Sequence, residues 1–337
     1  MIHNEVMLSG THKEIMMSEY KPPYTITSKM LNLTNKISEH ITELKYNSNQ
    51  NITPMLRKKN RIKTLAGTLE IEGNFLGEEK ITAIVDGKKV LGNIPEIAEV
   101  KGAIKAYQEL ENYQYNDMSD LLQAHKILMD EILNNAGSFR TSNVRVGEHI
   151  APQSHLVPQL MRELFEWLKS SDEHLLLKSC IFHYEFEFIH PFVDGNGRIG
   201  RLWQSVILYK FNPLFALLPT ESIVRDHQEE YYKALENSSA IGDSTPFIEF
   251  MLDMILQTII KFGNEVGNKV GNRVGNLTEN QIIIMELMQV NPKISAKKLS
   301  DEIGISVRKI EENISKLKKL NLIARFGGTR GHWEIKK

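Results

Sequence analysis

The segment His190-Pro191-Phe192-Val193-Asp194-Gly195-Asn196-Gly197-Arg198-Ile199-Gly200-Arg201 lies at the junction of two strongly apolar stretches, 175–188 and 198–210. Stretches of that length and apolarity read as buried helices, so the chain must reverse between them within a few residues. Glycines flanking Asn196 suit such a turn and let a ligand approach the main chain closely. The second helix opens at Gly-Asn-Gly, where its first N–H groups and positive dipole end make an anion site, and the glycines open a nest of donors to phosphate. Arg198 and Arg201 stand three residues apart, one turn along, so both can point back to that N-terminus and pair with phosphate oxygens. Asp194 offers a hard oxygen ligand suited to Mg²⁺ on a di- or triphosphate. His190 is the one group beside the nest able to accept a proton at neutral pH. A phosphate cradle, a metal ligand and a base together imply phosphoryl or nucleotidyl transfer to a nucleophile.

The rest of the chain is mainly α. A polar, extended arm ends in Lys21-Pro22-Pro23-Tyr24. Helical apolar spacing then recurs over 27–44, 55–72, 95–115, 118–134, 157–170, 226–238 and 246–262, with Gly73-Asn74 closing the second helix. Over 140–150, Val144, Val146 and Ile150 share one face and Glu148 interrupts, which predicts a short hairpin. Four Gly-Asn steps with single valines fill 263–276; such a repeat cannot bury a core and reads as a flexible linker. After it come predicted helices over 279–290, 296–303 and 307–320, the last with Ser306 as N-cap. A hairpin with a glycine-rich tip, 323–326 and 332–335, completes the plan of a winged helix-turn-helix. Four regions are therefore expected: 1–94, 95–262, 263–276 and 277–337.

Charge divides along the same line. Residues 277–337 hold 12 Lys and Arg against 7 Asp and Glu, while the remainder holds 29 against 35. Lys297, Lys298, Arg308, Lys309, Lys316, Lys318, Lys319, Arg325 and Arg330 fall on the expected helix-turn-helix and wing, a bias suited either to DNA phosphates or to a protein surface. A single cysteine, Cys180, cannot form an internal disulfide. The N-terminal residues lack the apolar run of a secretory signal. The apolar stretch 247–262 carries Glu249, Asp253 and Lys261 and is too short to span a bilayer. No membrane partner is expected, and a cytoplasmic location is.

The twelve-residue segment resembles, at every fixed position, the HxFx[DE]GNGRxxR motif of Fic-domain proteins. The resemblance covers roughly residues 25–260 and implies a Fic-type helical bundle with a β-hairpin flap. It also implies transfer of AMP from ATP, with Mg²⁺, to a Ser, Thr or Tyr hydroxyl of a target protein. On it, His190 becomes the base that deprotonates the hydroxyl and Asp194 the Mg²⁺ ligand. Gly195, Asn196, Gly197 and Arg198 hold the phosphates, within an ATP-binding set that runs on through Ile199 and Gly200. Arg201 contacts the γ-phosphate. Glycine at 197 favours AMP transfer, because family members that transfer phosphate carry lysine there.

Residues 144–152 resemble the family's flap, with Val146, Gly147, Glu148 and His149 facing the nucleotide and the target docking by strand addition. Tyr231 and Tyr232 fall where a tyrosine packs near adenine. Thr68-Leu69-Glu70-Ile71-Glu72-Gly73 is similar to the family's [ST]xxxE[GN] inhibitory motif. There Glu72, at the negative end of a helix dipole, pairs with Arg201 and denies it to ATP. Homodimers are a further expectation of the resemblance. Two alternatives are a DNA-binding regulator whose Fic core senses ATP or works on the regulator itself, and net removal of AMP with Glu72 activating a water.

Overall fold

The computed structural model of the chain describes residues 20–48, 53–146, 149–271, 277–327 and 331–336. After an extended run over 20–27 come α1 (Ser28–Ser48), α2 (Pro54–Ile71), α3 (Glu78–Val85), α4 (Ile94–Gln108) and α5 (Met118–Met129). A short antiparallel hairpin, β1 (Arg145–Val146) and β2 (His149–Ile150), separates these from α6 (Val157–Ser170), α7 (Leu175–Ile189) and α8 (Asn196–Phe211). Then follow α9 (Thr220–Asp226), α10 (Gln228–Ile241) and α11 (Thr245–Gly271). The C-terminal part is α12 (Glu279–Val290), α13 (Ala296–Ile303), α14 (Val307–Lys319) and the hairpin β3 (Ile323–Phe326) with β4 (His332–Ile335).

α7 is apolar almost all round and is buried from Leu176 to Phe186, the pattern of a helix at the centre of a bundle. α8 packs on it through Gly200, where a Cβ would lie 2.7 Å from Glu187 Oε1 and 3.2 Å from the Phe186 ring. α2 is an equally close-packed strut. Thr53 caps it by accepting from Leu56 N (3.2 Å), and Pro54 occupies its first turn. Gly67 presses so near α9 that a Cβ there would meet Ser222 N at 2.7 Å. This packing directs the C-terminal end of α2, Glu72, toward α8. A separate core of Met288, Leu299, Ile310, Leu317, Ile323 and Trp333 holds the winged helix together, and its hairpin pairs Ile323 with Ile335 and Phe326 with His332.

The structure departs from the sequence expectations in five places. The helices expected over 95–115 and 118–134 stop at Gln108 and Met129. Beyond the first, the Tyr115 carbonyl is drawn into a bond from the Trp203 indole N–H (2.9 Å), a tertiary contact that helical spacing does not report. The short helices α3 and α9, which carry too few turns to show an apolar period, are additions to the expected set. The expected linker is helical over 263–271, because α11 continues through it. Gly263 sits against Leu44 and Glu265 pairs with Lys63 of α2 at 3.0 Å, which offsets the poor helix propensity of Gly and Asn. Residues 1–19 of the arm, 272–276 of the repeat and 328–330 of the wing, Arg330 included, lie outside the described residues. Among the described residues no helix is long and apolar enough to cross a membrane.

Candidate active site

α7 ends at Ile189, and His190 follows in the left-handed region (φ 49°, ψ 62°), a conformation that costs a non-glycine residue about 1–2 kcal/mol unless its surroundings fix it. Arg140 fixes it. Its backbone N–H donates to Pro191 O (2.9 Å), and its buried guanidinium donates to His190 O (2.8 Å) and Ile189 O (3.3 Å). The same guanidinium reaches Ser142 O (2.9 Å) and Pro152 O, on either side of the hairpin. One side chain therefore ties the candidate base to the flap.

The turn is closed from within. Asn196 Oδ1 accepts from Phe192 N (2.8 Å) and its Nδ2 donates to Phe192 O (2.9 Å). The His125 ring stacks on Phe192 at 3.6 Å. Its Nδ1 accepts from Gly137 N (2.9 Å), which leaves Nε2–H to donate to Asp194 O (3.0 Å). Burial pushes His125 down to about 4, so it stays neutral in that role. Gly195, at φ 82°, then caps α8.

At the opening of α8 the two arginines have separate partners. Arg198 pairs with Asp194 Oδ1 and Glu99 Oε1, both at 3.1 Å, and its buried Nε has no hydrogen-bond partner. Asp194 is half exposed, with Oδ1 also accepting from Gly195 N (2.6 Å). One half-exposed carboxylate beside a phosphate cradle fits Mg²⁺, which takes its other oxygens from phosphates and water. Among the described residues no group of three or more His, Cys, Asp or Glu would hold a metal on its own, so the residues present suit a metal that arrives with a nucleotide.

Arg201, 3% exposed, donates through Nη2 to Glu72 Oε1 (2.7 Å) and Thr68 O (3.1 Å), and through Nε to Thr68 Oγ1 (3.0 Å). Burial by itself would lower its pKa; the Glu72 carboxylate leads the influences that more than offset this and raise it. Glu72 Oε1 lies only 2.3 Å from where a Cβ on Gly197 would be. The glycine therefore leaves open the space over the first turn of α8, and the carboxylate fills it.

Several sequence assignments are corrected. The Asn196 side chain faces inward and closes the turn, leaving only its backbone to face a phosphate. Ile199 is fully buried and Gly200 packs on α7, so both lie on faces of α8 turned into the bundle. Tyr231 is 1% exposed, with its hydroxyl on His183 Nε2 (2.9 Å) and its ring against Phe247 and Phe250; it is core. Tyr232 beside it is half exposed. In the flap, Val146 and His149 are the inner backbone pair, while Gly147 and Glu148 lie outside the described residues. The roles of Arg140, His125 and Glu99 carry no signal in the sequence, because each meets the turn or α8 from far along the chain; Thr68 opens the 68–73 motif, and its bonds to Arg201 are what the structure adds.

Two family profiles match, the Fic/DOC family over residues 115–208 and a winged helix-turn-helix DNA-binding family over 277–324. A curated relative from Aedes aegypti, "Protein adenylyltransferase Fic", is 30% identical over 215 residues, which is 60% of this chain and 42% of that protein. One of the same name from Drosophila sechellia is 32% identical over 203 residues, 56% of this chain and 39% of that protein. The chain thus spans less than half the length of these relatives. Among solved structures, Fic-1 from C. elegans shares the fold (TM-score 0.58, 21% identity, 71% of this chain and 72% of that one). A Fic family protein from Desulfovibrio desulfuricans G20 has a TM-score of 0.74 and 37% identity, over 94% of this chain and 98% of that one. Identity at that level over nearly both whole chains settles the relationship: this chain belongs to the Fic family.

Proposed function

We propose that the chain transfers AMP from ATP to a Ser, Thr or Tyr hydroxyl of a protein, itself included, and that the conformation described is its inhibited state. The observation carrying this reading is the Glu72 carboxylate, bonded to Arg201 and seated over Gly197. A complete anion site is occupied by the chain's own anion. The name carried by the curated relatives favours AMP as the group transferred, and glycine at 197 agrees.

In this reaction His190 takes the proton of the target hydroxyl. The hydroxyl oxygen bonds to the α-phosphorus, the bond from that phosphorus to the bridging oxygen breaks, and diphosphate leaves. The N–H groups opening α8 and Arg198 stabilise the developing phosphate charge in a preorganised way. Arg201 receives the γ-phosphate once Glu72 withdraws. With Glu72 in place, a triphosphate meets a carboxylate where its last phosphate belongs, which misplaces the α-phosphorus. Mg²⁺ on Asp194 would neutralise phosphate charge when bound.

The test is incorporation of label from α-labelled ATP with Mg²⁺, on the chain itself and on cell lysate. Losing a competing buried ion pair worth about 3 kcal/mol predicts a rise of roughly 100-fold in Glu72→Gly, abolished in Glu72→Gly/His190→Ala. Silence of Glu72→Gly on both substrates defeats the reading. If AMP release from a modified protein instead requires Glu72, the net reaction is removal.

A second reading concerns the tail. Arg308, Lys309, Lys316, Lys318 and Lys319 are exposed on α14 and Arg325 on β3, which supports binding of duplex DNA by phosphate contacts. Binding that weakens steeply with salt, and by a smaller slope in Lys316→Ala/Lys319→Ala, is the expected result; salt-independent or absent binding removes the reading.

A further inference from the structure

Glu187 stands on α7 three residues before His190 and is not part of the cradle. Its side chain is 12% exposed, and Oε1 is buried with no hydrogen-bond partner, pressed against Gly200. The groups around it come from four helices. From its own helix, His183 Nε2 lies 3.9 Å away. That nitrogen accepts from the Tyr231 hydroxyl of α10 (2.9 Å), while His183 Nδ1–H donates to Gln204 Oε1 of α8 (2.9 Å). Burial, with Arg201 adding to it, takes His183 down to about 3, so it supplies no positive charge. Arg201 of α8 and the Glu72 carboxylate at the end of α2 are the charges acting on Glu187. Two carboxyls thus share one buried cation, and the hydrogen bonds of that cation go to Glu72 and Thr68. Desolvation raises Glu187 to about 8; Arg201 pulls against that and Glu72 adds to it.

We propose that Glu187 is a positioning residue for Arg201: a carboxyl that stays protonated while another anion sits on the guanidinium and ionises to hold it when that anion leaves. This rests on the reading that Arg201 receives the terminal phosphate of ATP. Withdrawing Glu72 removes a charge that disfavours ionisation of Glu187 and leaves the attraction of Arg201, so its proton is released more readily. An arriving triphosphate restores the negative charge and drives the proton back on. The proton comes from solvent, and no bond other than O–H forms or breaks. ATP binding to the uninhibited chain is therefore coupled to proton uptake, and its affinity falls as pH rises.

The experiment compares full-length Glu72→Gly with Glu72→Gly/Glu187→Gln and Glu72→Gly/Glu187→Asp. A non-hydrolysable ATP analogue with Mg²⁺ is titrated calorimetrically in buffers of different ionisation enthalpy. The range starts above pH ~7.5, where the terminal phosphate no longer titrates. Glu72→Gly is expected to take up a substantial fraction of a proton per nucleotide just above pH ~7.5, the uptake fading as pH passes about 8, with Kd rising over that interval and levelling beyond it. The Gln variant is expected to show no uptake and a flat profile, and the Asp variant to restore uptake. Equal uptake in the Gln variant, or an unaltered Kd profile, overturns the proposal. A merely structural role for Glu187 would change Kd without changing its pH dependence, which also overturns it. Because binding is read without chemistry, failure of AMP transfer with uptake intact would count against the transferase reading alone.

Discussion

The side chains that lock the turn, Asn196, His125 and Arg140, are matched within the chain, whereas five residues past Asn196 on α8 the carboxyls near the Arg201 guanidinium remain partly unmatched. At the turn, both polar atoms of the Asn196 side chain, both ring nitrogens of His125 and the three nitrogens of the Arg140 guanidinium have partners. Near Arg201, Glu187 Oε1 and Glu221 Oε2 are buried with none, and of these carboxyls Glu72 alone hydrogen-bonds the cation, beside Thr68. A saturated network has one low-energy arrangement, and an under-filled one has alternatives separated by little energy. On the proposed reading, the turn holds the candidate base still and the Arg201 pocket is where an anion is exchanged.

If that contrast is right, damage to the turn should defeat the enzyme even after Glu72 is removed. Arg140→Met leaves four carbonyls without their donor and frees a left-handed His190. The expected cost is roughly 3–5 kcal/mol of stability and about 100-fold in AMP transfer in the Glu72→Gly background, because a misplaced base forfeits its orientation. Thermal melting and the labelling assay read the two effects. Activity preserved in Arg140→Met would show that the turn does not need its lock.

Titration separates the regions next. His125 at the turn and His183 beside Arg201 are depressed by burial to about 4 and about 3. The unfolded chain binds protons on these groups from about pH 6.5 downward, while the folded chain does not until about pH 4 for His125 and about pH 3 for His183. Their contribution is therefore present above pH ~6.5 and lost as pH falls toward 4, by about 3 kcal/mol for each. Glu187 acts in the opposite direction: its raised pKa favours the folded state below about 4.5, and that advantage is lost as pH climbs through about 8. Melting temperature should decline on both sides of a maximum near pH 6–7. Glu187→Gln should remove much of the alkaline decline, and His125→Asn part of the acid one.

What the sequence disclosed follows the range of the interactions. Asp194, Gly195, Gly197 and the two arginines lie within eight residues of each other, so local spacing predicts the cradle, and the expectation for Glu72 rests on the six-residue match at 68–73. The locks could not be read, since Arg140 and His125 meet the turn from 50 and 69 residues away. Ile199 and Gly200 were assigned to the nucleotide because they stand inside the motif. Each helical residue is turned by about 100° from the last, so Gly197 and Arg201 share a face that Ile199 cannot. The same rotation separates buried Tyr231 from exposed Tyr232. In the Gly-Asn repeat, propensity favoured a linker, and two tertiary contacts, Gly263 on Leu44 and Glu265 on Lys63, carry the helix further.

The finest test of the contrast is a single methyl group. In Gly197→Ala the new Cβ would stand 2.3 Å from Glu72 Oε1 and 3.0 Å from Arg201 Nη1, so the carboxylate has to move. Overpacking of this kind costs about 1–3 kcal/mol, and the expected loss falls at the lower end because the displaced group is the tip of a side chain at a partly exposed helix end. The variant should release the Glu72–Arg201 contact without becoming as active as Glu72→Gly, since on the proposed reading the methyl occupies the space a phosphate needs. Adding Glu72→Gly to Gly197→Ala should then relieve the clash but restore little AMP transfer, with stability lower still because buried Arg201 loses its carboxylate. A double variant as active as Glu72→Gly alone would mean that phosphates bind elsewhere, and that the carboxylate over α8 inhibits by some route other than holding their place.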